Sequence, residues 1–480
     1  MIDFAYFSPD SARGERLAWY CAGGCRAFVP HDVASLSRMS SRNLVEQVRL
    51  AGVIGAGGGG FPAHVKLAAQ ADTIIANGAE CEPLLHKDGA VIEHRAAELV
   101  RGMELAMDAV GAKSAVIALK AKHIEAVVHL QEACAGTRVT VKSLGDYYPA
   151  GDEYDLVHEV TGRLIPPAGL PIQVGVVVSN VETLVNISAA ERGRPVTTKF
   201  LTIAGAVREP ITLEVPIGAS FTDCIAAAGG STVDDPVLCL GGLMMGETTT
   251  DLDTPVTKTS AGAIVLSRRH PTVVRKLQPP AVQAHIGKSA CDQCRYCTEF
   301  CPRFLLGYAV EPHLVMRGLG FSKTGGAQWN DWAALCCSCG LCTLYACPEQ
   351  LFPKEACDDA KTALRAAGRK WSGPATVKPH PMHEGRRVPI PSLLRRLAIQ
   401  DYDHEAPLRR VALSPARLRL RLKQGAGNPA LPVVRAGDRV VAEELLAEPA
   451  AGALGSLLHA PCAGVVESIS ESEILLARLP

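Results

Sequence analysis

The chain has 480 residues, room for three or four domains, and its 48% hydrophobic content is ample for several buried cores. Lysine plus arginine equals aspartate plus glutamate at 49 each, and only 5% of residues are aromatic. That balance leaves no net field to draw nucleic acid or an anionic membrane, and few rings for base stacking.

Residues 1–40 read as a tail set apart from the rest of the chain. They carry acids early, lack the apolar stretch of a secretory signal, and show no helical or strand period around Cys21 and Cys25. A clean amphipathic helix begins only after Met39: Ser41 and Glu46 suit its start, and Leu44, Val45 and Val48 share a face. The expectation is that Met39 is the natural start and residues 1–38 an upstream over-read, with a docking or targeting peptide as the alternative.

Residues 41–195 predict an α/β domain. Apolar β-rich runs at Thr73–Ala76, Ala115–Leu119, Val139–Val141 and Val174–Val178 alternate with helical segments at Ile92–Val110 and His123–Ala133. Such alternation builds a mostly parallel sheet with helices on its faces. Residues 196–272 turn to strands (Phe200–Ala204, Ile211–Val215, Val237–Leu240, Ala263–Leu266) with one helix near Thr222–Ala228, a small α+β unit. Residues 283–366 are helix and loop around a dense set of cysteines. Residues 367–406, rich in proline and basic side chains, read as linker or clamp. Residues 407–480 are β again, with Gly437-Asp438 and Ala463-Gly464 as turn signals. No stretch reaches the ~18 uninterrupted apolar residues of a membrane-spanning helix.

The first chemical signal is the run Gly55-Ala56-Gly57-Gly58-Gly59-Gly60-Phe61-Pro62. Glycines such as Gly55, Gly57, Gly58 and Gly60 let backbone N–H groups converge on a phosphate and let a flat ring lie close to the chain. Pro62 suits a first helical position beside an anion, and Lys66 follows one turn later. A flexible hinge is the plainer reading of any one glycine run. Three more segments keep it company, two of them directly after predicted strands: Asn77-Gly78-Ala79-Glu80-Cys81-Glu82-Pro83, Tyr148-Pro149-Ala150-Gly151-Asp152-Glu153 and Ser179-Asn180-Val181-Glu182-Thr183. Ligand-facing residues of an α/β sheet sit after its strands.

The second signal is stronger. Cys291, Cys294, Cys297 and Cys301, followed by Pro302, have the C-x2-C-x2-C-x3-C-P spacing of two-cluster ferredoxins; Cys336, Cys339, Cys342 and Cys347, followed by Pro348, repeat it with one extra residue before the last cysteine. In that arrangement three thiolates of one loop hold one cubane and the trailing cysteine crosses to the other. Cys291, Cys294, Cys297 and Cys347 are therefore assigned to one [4Fe-4S] centre, and Cys336, Cys339, Cys342 and Cys301 to its partner. Cys337 is a spare thiol able to compete. Structural zinc needs only four ligands and has no reason to repeat such a loop. Disulfides suit a secreted chain, and the nine remaining of seventeen cysteines are scattered, as in a reducing cytosol.

The four glycine and strand-end segments resemble the flavin-binding subunit of NADH-quinone oxidoreductase. Carried over by position, the resemblance implies an FMN site lined by Gly55, Gly57, Gly58, Lys66, Asn77, Glu82, Tyr148, Gly151, Glu153, Asn180 and Thr183, with Phe61 and Glu80 where a nicotinamide nucleotide enters. Ala56 and Ala79 replace the arginine and aspartate of that pattern, which weakens the nucleotide contacts. The order of units is similar to that of the PduS-type cobalamin reductases of propanediol-utilisation bacterial microcompartments, over about residues 41–480. What this implies is a multidomain α/β fold: a Rossmann-like FMN and NADH-binding domain, a β-grasp-like (SLBB-type) α+β domain, a ferredoxin-like helical segment with two [4Fe-4S] clusters, and a C-terminal barrel-sandwich β domain. It also implies NADH as donor, a corrinoid as acceptor, a corrinoid adenosyltransferase and microcompartment proteins as partners, and a cytoplasmic location within a microcompartment. The C subunit of the Rnf ferredoxin:NAD oxidoreductase has the same parts, but carries its barrel-sandwich domain at the N-terminus. A third possibility is an electron-transfer adaptor without its own NADH site.

The C-terminal segment resembles a biotinyl/lipoyl barrel-sandwich, yet no lysine lies between Val441 and His459, so it is no swinging arm. His459 is a conceivable cobalt ligand, though a histidine in a turn motif is more often structural. His380, His383, Arg386 and Arg387 suit either phosphate contacts or a solvated linker face. Cys81 is a redox thiol or a small filler beside the flavin. The Gly241-Gly242-Leu243-Met244-Met245-Gly246 loop is a candidate corrinoid contact or mere packing. No catalytic acid or base is assigned.

Overall fold

Thr73–Gly78 (β1) is buried along both faces, as an unbroken apolar run in a parallel sheet must be. The computed structural model describes residues 43–122, 124–321 and 330–479; the expected Met39 start, the tail and the Ser41 cap lie outside the described residues. Around β1 stand Ser114–Lys120 (β2), Val139–Leu144 (β3) and Val176–Asn180 (β5), in the parallel order β3-β2-β1-β5. The two-residue strand Tyr147–Tyr148 (β4) lies outside this sheet. Val174, expected in the last strand, instead ends a 3-10 turn, Pro171–Val174, that closes on Gly175 at φ +73°. The helix expected from Ile92 begins earlier, at Lys87, and runs to Val110. It crosses the helix Val181–Glu191 so closely that a Cβ on Gly102 would lie 2.0 Å from the Leu184 carbonyl oxygen.

The α+β unit is a six-stranded sheet built on Thr198–Gly205 (β6), Ile211–Pro216 (β7), Pro236–Leu240 (β8), Glu247–Thr249 (β9) and Gly262–Ser267 (β10). Its single helix, Phe221–Ala227, starts at a Ser220–Asp223 capping box. The sixth strand, Leu408–Arg409, comes from the start of the C-terminal segment and pairs with β7. Beyond it the chain forms two small sheets, of four and three strands. Their Leu418, Leu420, Leu446, Ile474 and Leu476 share one apolar core with Ile74, Leu99 and Ile117 of the first domain. Lys258, fully buried, ties three units: its ammonium donates to the carbonyls of Gly52 and Leu457 at 2.7 Å and to Ser456 Oγ at 3.2 Å.

His383, Arg386 and Arg387 correct the reading of a solvated linker face, which still holds for the exposed His380; the clamp reading describes the three. His383 meets Asp155 at 3.0 Å, Arg387 meets Glu159 at 2.6 Å, and Arg386 meets Glu299 at 3.0 Å. Val388 and Pro389 pair with Tyr148 and Tyr147 of β4. The strap thus lashes the first domain to the cysteine segment. Among the described residues no helix is long and apolar enough to cross a membrane.

Candidate functional site

The glycine run closes on itself, with the Gly55 amide donating to the Phe61 carbonyl at 2.9 Å and the Gly60 amide to the Gly55 carbonyl at 3.2 Å. Gly58 and Gly59, at the tip, have open space where a side chain would stand. A Cβ on Gly57 would come 3.2 Å from that of Asn180, and the Ala56 amide donates to Thr183 Oγ1 at 2.9 Å. Gly60, at φ +61°, is pressed against the C-terminal domain: a Cβ there would meet Gly425 Cα at 2.5 Å. Pro62 sits one place before the single-turn helix Ala63–Leu67 rather than inside it.

β1 and β5 end side by side, with Asn77 level with Asn180. Asn77 donates to the Gly151 carbonyl at 3.0 Å and accepts the Ala79 amide at 3.1 Å. Asn180 caps the following helix and donates to Asp88 at 3.0 Å. Lys66 donates to the Val178 carbonyl at 2.8 Å and stands 3.7 Å from Glu153. Gly57, Lys66, Asn77, Gly151, Glu153, Asn180 and Thr183 thus converge beyond the carboxyl ends of two parallel strands, the ligand-binding edge of an open α/β sheet. The fit to a flavin phosphate and ring lies in the open loop tip beside this cleft.

Three of the expected residues point elsewhere. Glu82 is turned into the α+β unit, accepting the Met244 and Met245 amides at 2.9 and 2.7 Å; Gly242 is required there, because its Cβ would lie 2.3 Å from the carboxylate. Glu80 accepts the Asp88 and Gly89 amides at 2.8 and 3.2 Å, at the start of the helix Lys87–Val110. Tyr148, buried, donates its hydroxyl to the Cys339 carbonyl at 2.7 Å. Phe61 is half-buried at the end of the glycine run.

Sequence reasoning missed the charged cluster beneath the cleft. Lys87 contacts Asp88 and, at 3.0 Å, Glu182; Lys199 contacts the same Glu182 oxygen, and all three of Lys87, Glu182 and Lys199 are 1% exposed. Burial alone would raise the Glu182 carboxyl, but the ammonium groups of Lys199 and Lys87 outweigh it and hold it below its usual range. Burial lowers Lys199 to about 8.

Burial, with Asp88 close by, pushes the Glu80 carboxyl up to about 7 from an ordinary 4.5. A raised carboxyl pKa adds stability that is fully present below 4.5 and lost as pH climbs through 7. Glu80→Gln keeps an acceptor for the two amides and removes the titration. Its stability relative to wild type is expected to rise by up to about 3 kcal/mol between acid and neutral pH. Denaturant melts across that range check it; parallel wild-type and variant curves would refute it.

The two cysteine loops share a backbone. Gln293 and Arg295 have φ of +62° and +70°, and Ser338 and Gly340 have +58° and +83°, each pair two and four residues past Cys291 or Cys336. These left-handed positions turn each loop tightly at matching places. By backbone register Cys336 matches Cys291, and Cys337 lines a small cleft beside Cys339. The extra residue of the second run is absorbed by a π-turn, Cys342–Ala346. Burial pushes Cys297 up to about 12, and Cys291, Cys347 and Cys294 push in the same direction. Cys301 is raised by burial and by Cys336 and Cys337; Cys342 by burial and by Cys336, Cys297 and Cys301. Cys301, Cys336, Cys339 and Cys342, with Cys337, line that one small cleft. Cys336 differs in its pKa, lowered to about 7 by its contact with Cys357; four crowded, largely buried thiols are still a fitting donor set for an iron–sulfur cluster, whose cations would favour the thiolates.

Of the other candidates, Cys81 lies against Gly151, and burial pushes its thiol up to about 12, which leaves it protonated at neutral pH. His459 is buried within a strand pair, lowered to about 4 by burial and the nearby Lys258.

Four family models divide the chain: the Nuo51 FMN-binding domain over residues 48–189, the SLBB domain over 200–248, a 4Fe-4S dicluster domain over 290–352 and the RnfC barrel sandwich hybrid domain over 400–478. The chain is 42% identical over 440 residues to "Cobalamin reductase PduS" of Citrobacter freundii, covering 91% of this chain and 97% of that one. This chain belongs to the PduS cobalamin reductase family. The Salmonella typhimurium member is 42% identical over 442 residues, covering 92% and 97%. The C subunit of the proton-translocating ferredoxin:NAD(+) oxidoreductase complex of Clostridium ljungdahlii is 35% identical over 274 residues, 56% of this chain and 57% of that one. With its family the chain shares a multidomain fold and the make-up of a flavin and iron–sulfur electron-transfer oxidoreductase.

Proposed function

We propose that this protein takes a hydride from NADH at the flavin cleft and delivers its electrons singly, through two [4Fe-4S] centres, to the cobalt of a corrinoid. FMN supplies the conversion, accepting two electrons together and releasing them one at a time. The observation that carries the reading is the contact of Tyr148, in the flavin domain, with Cys339 of a cysteine loop at 2.7 Å. It joins a two-electron site to one-electron sites in one polypeptide. Gly55, Gly57, Gly58, Lys66, Asn77, Gly151, Glu153, Asn180 and Thr183 hold the FMN. Cys291, Cys294, Cys297 and Cys347 hold one cluster, and Cys301, Cys336, Cys339 and Cys342 the other. The names of the family members motivate the corrinoid, with transfer of the reduced corrinoid to an adenosyltransferase inside a microcompartment as the setting.

A second reading, an adaptor without an NADH site, is favoured by one feature. Ala56 and Ala79 are buried and bring no charge to the cleft, and the Glu80 carboxylate is engaged by the Asp88 and Gly89 amides. Anaerobic NADH followed by aquocobalamin decides between them. The expected outcome is prompt flavin bleaching, then an FMN-dependent cob(II)alamin band. A flavin that only dithionite reduces would remove the NADH reading, and a reduced flavin with unchanged cobalt would remove the corrinoid.

A further inference from the structure

Tyr148 is held from two sides. Its backbone pairs with Val388 of the strap, and its ring lies in an apolar cluster with Cys339, Leu341 and Met244. Three residues on, Gly151 accepts the Asn77 amide at 3.0 Å, and a Cβ there would touch Cys81 Sγ at 3.4 Å. From the end of β1, a path of covalent bonds and two hydrogen bonds therefore runs through Gly151 and Tyr148 to Cys339. A second tie runs parallel to it: Asp152 pairs with the buried Arg303 at 2.9 Å, two residues past Cys301. Arg303 also lies 3.4 Å over the Tyr154 ring. One tie ends on Cys339 and the other two residues past Cys301, both in the group Cys301, Cys336, Cys339 and Cys342. In the other group, Cys294 is exposed and Cys291 half-exposed, with Asp292, Arg295 and Tyr296 around them also facing solvent.

We infer that the site of Cys301, Cys336, Cys339 and Cys342 receives electrons first, across the contact that Tyr148 fixes, and that the site of Cys291, Cys294, Cys297 and Cys347 passes them on at the surface near Cys294. This order rests on the proposed function. A hydride brings two electrons to the flavin cleft. At each passage one electron leaves the cleft and reduces the proximal site by one. That site is reoxidised as the distal site is reduced, and the distal site is reoxidised by the one-electron acceptor. Two passages empty the cleft, and the one proton of the hydride goes to water. Tyr148 is a positioning residue in this sequence, fixing the proximal loop against the flavin domain.

The test uses the full-length, FMN- and iron-loaded protein, with the flavin photoreduced anaerobically by EDTA as the sacrificial electron donor, so that NADH is not needed. In Cys301→Ala, the distal centre should still show its EPR signal with dithionite but lose reduction from photoreduced flavin. In Cys294→Ala, a change at an exposed position, proximal reduction should persist while delivery to aquocobalamin is lost. Tyr148→Phe should slow flavin reoxidation several-fold while leaving both dithionite-reduced EPR signals and flavin content unchanged. Loss of proximal reduction in Cys294→Ala, undiminished distal reduction in Cys301→Ala, or wild-type reoxidation in Tyr148→Phe would each overturn the order. If photoreduced electrons follow this order while NADH fails to bleach the flavin, the donor reading alone falls.

Discussion

Cys297→Ala should roughly halve the iron bound by the reconstituted protein while leaving FMN in place, the expected result of removing one ligand from one of two ferredoxin-type centres. Cys297 interacts with Cys291, Cys347 and Cys294, so the loss should fall on that centre and spare the other's EPR signal. Flavin retention is expected because no cysteine of either group lies in the glycine run or at the ends of β1 and β5. Cys347→Ala, fifty residues further along the chain, should remove the same signal as Cys297→Ala. Iron analysis with EPR of the dithionite-reduced proteins measures both. Simultaneous loss of both iron pools and of FMN would mean that the units fold as one, and a Cys347→Ala protein lacking the other signal would mean that the trailing cysteines do not cross.

The second large effect is expected in a residue that binds no cofactor. Glu182→Leu leaves the ammonium groups of Lys87 and Lys199 buried with Asp88, and Glu80 beside it, to offset them. Removing one partner of a buried ion pair costs about 3–5 kcal/mol, because the charge left behind has lost water and its counter-ion together. Glu182 also accepts the Phe200 amide at 3.1 Å, so the start of β6 loses a bond as well. Thermal and denaturant unfolding of the flavin domain should show the loss, with weaker FMN retention. A change smaller than about 1 kcal/mol would show that the lysines deprotonate or reach water at little cost.

These two outcomes divide along what could be read beforehand. Thiol ligation depends on residue type and spacing within a few positions, so the two C-x2-C-x2-C runs were visible without a fold. The same holds for the glycine run and for the parallel strands, whose apolar stretches were placed to within a few residues. The buried charges were not visible. Lys87 and Lys199 are over a hundred residues apart, and nothing local marks a lysine as buried; that follows only when two domains close over Glu182. The strap was misread as a solvated face for a similar reason, since the acids that pair with His383, Arg386 and Arg387 lie on elements far away in the chain.

Local rules, which act through neighbours in the chain, let the sequence determine the α/β, strand-rich and cysteine-loop units and their chemical types. The tertiary structure decided how the units meet. The π-turn takes up the extra residue before Cys347, Glu80 and Glu82 turn from the cleft to buried amides, and Tyr148 reaches across 191 positions to Cys339. A hydrogen bond across such a distance is paid for by the packing of whole domains, and so depends on where the folded surfaces touch rather than on any short stretch of residues.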